Sequence, residues 1–133
     1  MAEINLWAVL LAGFSAFLLG GLWYSPVMFS KVWQRETGVG GGDKAPKHKP
    51  AFLFGMAFLL SLLSAFVFAM FLGPRPSMPL ALGAGFAAGA AWVAASFGIN
   101  YLFEEKSFRL FCINGGYHTA QFTLYGLVLG LIQ

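Results

Sequence analysis

Leu110-Phe-Cys-Ile-Asn114-Gly-Gly-Tyr117-His118-Thr-Ala-Gln121-Phe-Thr-Leu-Tyr125-Gly-Leu-Val-Leu-Gly-Leu-Ile132 contains no Asp, Glu, Lys or Arg. At 1.5 Å per residue it is long enough to cross the roughly 30 Å of hydrocarbon in a bilayer. Inside it, Asn114, His118, Gln121 and Tyr125 follow at steps of four, three and four, which places them along one face of a helix. Polar groups at that depth cost free energy unless they find partners, so the stripe marks a candidate functional site in a segment that otherwise belongs in lipid.

Three further apolar runs, Ile4–Trp23, Ala51–Leu72 and Leu80–Leu102, are equally free of Lys, Arg, Asp and Glu. They lack the alternation of a membrane β-barrel strand. The whole chain is 59% hydrophobic and only 10% charged. A water-facing surface usually needs about 25% charged residues, so lipid must cover most of this one. We therefore expect an all-α membrane protein of one domain over residues 1–133. Its transmembrane helices are placed at about residues 4–24, 51–72, 80–102 and 110–132. Met1-Ala-Glu-Ile-Asn5 has no basic residue ahead of the first run, so that run reads as a retained helix rather than a secretory signal. Cys112 is the only cysteine, which rules out an intrachain disulfide and a cysteine-built metal site.

Charge placement sets an orientation. Lys31, Arg35, Lys44, Lys47 and Lys49 lie between the first two helices, Lys106 and Arg109 lie at the third connection, and only Arg75 falls between helices two and three. The positive-inside rule puts the first seven in the cytoplasm and both termini outside, as expected for a multi-pass protein of a plasma membrane. The asymmetry accounts for the net charge of +3 without a nucleic-acid partner.

After Trp23-Tyr24, Ser25 is placed to cap a short helix with Pro26 at its first position. Over residues 26–37 an apolar side (Val27, Met28, Phe29, Val32, Trp33) opposes a polar one (Ser30, Lys31, Gln34, Arg35), the pattern of an interfacial amphipathic helix. Residues 38–50 read as a flexible basic loop; its glycines have no preceding strand and no Gly-Lys-Ser/Thr ending, so it is not a phosphate-binding loop. Small residues recur every four positions, as Ala8, Ala12, Ala16 and Gly20; Ala57, Ser61, Ala65 and Ala69; Ala81, Gly85 and Gly89; Gly126 and Gly130. Such rows allow close helix approach and, with little interior available to one chain, favour a homodimer for which Gly85 and Gly89 are the expected seam.

With this orientation the unusual residues collect at one level. Ser96 and Asn100 share a face of the third transmembrane helix, with Tyr101 beside them and Glu104 just beyond its end. Asn114, Tyr117 and His118 open the fourth, and Trp23 and Tyr24 close the first. Gly21-Leu-Trp-Tyr-Ser-Pro26, Asn100-Tyr-Leu-Phe-Glu104 and Asn114-Gly-Gly-Tyr-His118 together resemble the bacterial membrane-protein family called domain of unknown function 1761, over nearly the whole chain. The resemblance implies a small multi-helix membrane protein with these motifs as its site, and it brings no activity, substrate or cofactor. Glu105 departs from the family pattern, where a small or basic residue is more usual.

The candidate site is thus Tyr24, Asn100, Glu104, Asn114, Tyr117 and His118, in a vestibule open to the cytoplasm. There His118 would titrate, since an unperturbed imidazole has a pKa near ~6.5. Asn114 and Tyr117 would position a small solute, ion, proton or water, and Glu104 would favour a cation at the entrance. The bland alternative for His118 is a hydrogen bond across helices, to Asn100 or Tyr24. Metal or haem ligation would need a second His118 from a partner copy. Enzyme chemistry draws little support, because no nucleophile has a base and an orienting group at hand, and no cofactor is implied. Two classes stand: a small transporter or solute-binding protein, and a structural or accessory subunit acting through helix contacts.

Overall fold

The structure, a computed structural model, describes residues 4–39 and 47–132. Among them the chain is all helix: α1 (Leu6–Trp23), α2 (Ser30–Thr37), α3 (Pro50–Leu72), α4 (Met78–Phe103) and α5 (Phe108–Ile132). The ends obey local chemistry. Asn5 Oδ1 accepts from the backbone N–H groups of Trp7 and Ala8, Pro50 and Pro79 sit in first turns, and the Ser77 hydroxyl caps α4 through Leu80 N–H. The four long helices keep within two residues of the expected runs. Residues 40–46, most of the expected flexible loop, lie outside the described residues.

α2 begins later than expected. The Ser25 hydroxyl donates to the Leu22 carbonyl at 2.7 Å, closing off α1 rather than opening α2. Turn hydrogen bonds from Met28 and Ser30 N–H to the Ser25 carbonyl then carry the chain around, and the helix starts at Ser30. Gly38, at φ 75°, ends it in the left-handed conformation that glycine takes without a steric cost.

The long helices lie in the order α3, α1, α5, α4, and α5 touches every other helix. Their core is made of small residues: Ala8, Ala12 and Ala16 of α1 and Ala65 of α3 are fully buried, joined by Tyr125 and Leu129 of α5. The bulky side chains face outward, among them Trp7, Phe71, Trp92 and Phe103. This inverts the arrangement of a protein in water, where large apolar side chains fill the core. α1, α3 and α4 are long and apolar enough to cross a membrane. α5 has 25 residues, and its polar stripe sets it apart from those three.

The α4–α5 seam is a contact of backbones. A Cβ on Gly85 would strike the Phe122 carbonyl, one on Gly126 the Ala81 carbonyl, and one on Gly89 would lie 2.7 Å from the His118 carbonyl and from Thr119 Cα. Gly85 and Gly89, expected at a dimer seam, are therefore consumed inside one chain.

Where α4 presses on α5, residues Ala88–Ala94 widen into a π-helical segment, with Ala95 N–H reaching back five residues to the Ala90 carbonyl. A π turn holds one residue more than an α turn, so everything after it is rotated by about 100° relative to a straight helix. Ala81 and Gly85 before the segment, and Gly89 at its start, face α5; an unbroken helix would continue that face through Trp92, Ser96 and Asn100. All three are exposed instead, and Ala94, Phe97, Gly98 and Tyr101 take their places.

Candidate polar site along the central helix

At the end of the bundle where α1 stops and α5 starts, Asn114 is held from two sides. Tyr24 O–H donates to its Oδ1 at 2.6 Å, and its Nδ2 donates to the Tyr101 hydroxyl at 2.7 Å. One amide thereby joins the end of α1, the last turns of α4 and the first turns of α5. Next to it, the Trp23 indole N–H donates to the Ile113 carbonyl at 2.9 Å, and Tyr117 O–H donates to the Ala16 carbonyl at the same distance. The Tyr117 ring packs against both Trp23, tilted at 6.3 Å, and Tyr24, edge-on at 5.5 Å, and Trp33 of α2 closes on Tyr24.

One turn further along α5 the second half of the stripe begins. His118 Nδ1 lies 2.5 Å from Gln121 Oε1, an oxygen that only accepts, so the two are hydrogen-bonded in the tautomer that carries its proton on Nδ1. Gln121 Nε2 donates to the Tyr125 hydroxyl at 2.6 Å, and Tyr125 O–H donates to the Ser61 carbonyl of α3 at 3.0 Å. The Ser61 hydroxyl, 2.9 Å from that of Tyr125, donates to the Gly13 carbonyl of α1 at 3.1 Å. Tyr125 is fully buried and Gln121 nearly so, which makes a complete set of partners obligatory. His118 itself is half-buried between the stacked ring of Phe97, 9° from parallel at 5.1 Å, and the edge of Tyr117. Its Nε2 has no hydrogen-bond partner among the described residues.

Four of the six expected site residues, Tyr24, Asn114, Tyr117 and His118, therefore form one contiguous group. Asn100 and Glu104 are exposed and contribute no side-chain hydrogen bond to it. Tyr101 and Phe97 occupy the positions that helical periodicity assigns to Asn100 and Ser96, for the reason given by the π-helical segment. Ser61 was legible only as a member of a small-residue row; as a hydroxyl on a helix with no charged residue, it is the partner that Tyr125 requires. Phe97 left no signal in an apolar run.

A family model described as "Protein of unknown function (DUF1761)" matches residues 7–130 of the chain. No curated protein and no solved structure matches it.

Proposed function

The chain belongs to the DUF1761 family, and from that premise we propose a four-span integral membrane protein that serves as a structural or accessory subunit, its polar stripe fastening the helices together. One observation carries the reading: the hydrogen bonds of the stripe and of Tyr117 beside it leave α5 for every other long helix of the same chain. Asn114 reaches Tyr101 of α4, Tyr117 reaches α1, and Tyr125 reaches α3. Between apolar helices in lipid there is no hydrophobic force to hold them, and close small-residue packing with interhelical hydrogen bonds does that work. In the same reading α5 is the fourth span, the outward Trp, Phe and Leu side chains meet acyl chains, and α2 lies in the interface with Lys31 and Arg35 exposed. Both termini then face away from the cytoplasm. A homodimer would use faces other than Gly85 and Gly89, since those glycines already serve α5.

A second reading, exchange of a proton or small solute, rests on His118, whose Nε2 has no hydrogen-bond partner among the described residues. One experiment separates the two. Vesicles containing the purified protein are given a pH gradient between about 5 and 8, the range in which an imidazole can change charge. The structural reading expects the gradient to persist with wild type and with His118→Ala. It also expects Tyr125→Phe to lower the unfolding midpoint. A gradient that wild type dissipates and His118→Ala preserves, with both proteins equally stable, would replace the structural reading with the second.

A further inference from the structure

We propose that the groove between the end of α4 and the start of α5 binds an anionic phospholipid, with the phosphate at Lys106 and an acyl chain along the apolar wall. The groove encloses about 480 Å³ and is lined by Ala95, Gly98 and Phe111 along its length, with Tyr101, Lys106 and Ser107 among its polar residues. That volume is within the range of small-molecule sites, and the lining has the composition of an amphipathic ligand: apolar along most of its surface, with few polar groups.

Each polar group is placed by the turn between the helices. Glu105, at φ 56°, takes the left-handed position after α4, while Lys106 N–H bonds the Tyr101 carbonyl at 2.9 Å and Glu105 N–H the Leu102 carbonyl at 3.4 Å. This pairing is a Schellman closure, and it fixes Lys106 three residues past Phe103, the last residue of α4, at the groove. The Ser107 hydroxyl accepts from Leu110 N–H at 3.1 Å and opens α5. Tyr101 accepts from Asn114, so its own O–H proton is uncommitted among the described residues and can be donated to a ligand oxygen. Lys106 and Tyr101 thus both line a trough that is otherwise mostly apolar. Glu104 and Glu105, exposed on the same turn, do not line it.

The inference rests on the membrane reading, in which this end of the bundle faces the cytoplasmic leaflet, where anionic lipids reside and basic pockets between helices take their headgroups. The full chain, purified in detergent, is titrated with phosphatidylglycerol and with phosphatidylcholine of the same acyl chains, and bound lipid is counted by native mass spectrometry. Wild type should hold phosphatidylglycerol about fivefold more tightly, the effect of one basic residue near an anionic group. Lys106→Gln should abolish that preference and Lys106→Arg should keep it. Ala95→Phe, which fills the trough with another apolar side chain, should weaken both lipids. Lys106 is exposed, so its variants carry the test even if Ala95→Phe fails to fold. Equal retention of the two lipids by wild type, or an undiminished preference in Lys106→Gln, would overturn the proposal. Displacement by glycerol phosphate at the concentration of the lipid would do so too, since it would mark a site for the headgroup or free phosphate alone. Failure of the chain to enter vesicles at all would instead count against the membrane reading.

Discussion

Asn114 shows what a single side chain can do when both ends of its amide are used. Its Oδ1 takes the Tyr24 proton and its Nδ2 reaches Tyr101, so it ties the end of α1 to α4 through α5. Interhelical hydrogen bonds in membranes average about 0.6 kcal/mol and reach about 1.7, so two of them are worth roughly 1–2 kcal/mol. Asn114→Ala should lower unfolding stability by about that amount, and Tyr24→Phe and Tyr101→Phe by about 0.6 kcal/mol each. In double-mutant cycles each tyrosine variant should couple to Asn114→Ala and leave Tyr125→Phe unaffected. Additive losses at Tyr24 and Asn114 would show that the bond contributes nothing to stability. His118 differs in kind. Gln121 holds one of its nitrogens while Phe97 and Tyr117 frame the ring, so it is positioned like a structural residue yet keeps one nitrogen in reserve.

Among the elements, α4 departs furthest from a plain reading. Its first half is a regular helix whose small face fits the backbone of α5, and its second half uses a different face because Ala88–Ala94 holds an extra residue. Deleting exposed Ala91 should let the segment close into an α-helix while Phe97 and Tyr101 stay on α5, at a stability cost within about 1 kcal/mol. Deleting Gly83, whose added Cβ would meet nothing within 4 Å, removes no contact of its own. It should nevertheless swing Met78–Leu82 by about 100°, lift Ala81 from Gly126 and cost several times more. Equal losses in the two deletions, measured as unfolding midpoints, would show that the wide turn does not set the register. The four long helices and their ends were legible to within two residues, because apolar length and capping chemistry are local. The start of α2 was not, because a serine before a proline can cap the helix ahead of it or the one behind.

For the whole molecule, the inverted distribution of small and large residues suits an apolar solvent, and the proposed orientation follows from the basic residues. In a Cys112→Ser background, since Cys112 is exposed, cysteines at Lys44 and Gln133 should label from opposite sides of sealed vesicles with an impermeant reagent. Labelling from one side would overturn the proposed four-span topology. The amino-acid sequence by itself determined the helices, their apolar character, the bias of basic residues and the stripe on α5, since each follows from composition, charge and a period of 3.6 residues. Only the tertiary structure decided which neighbours the stripe would meet. Asn100 and Tyr101 are adjacent in sequence and similar in polarity, and either could have faced Asn114. The close approach of Gly89 to α5 and the wide turn around it rotate Tyr101 inward and Asn100 outward, and that phase depends on backbone packing between helices, which no local pattern encodes.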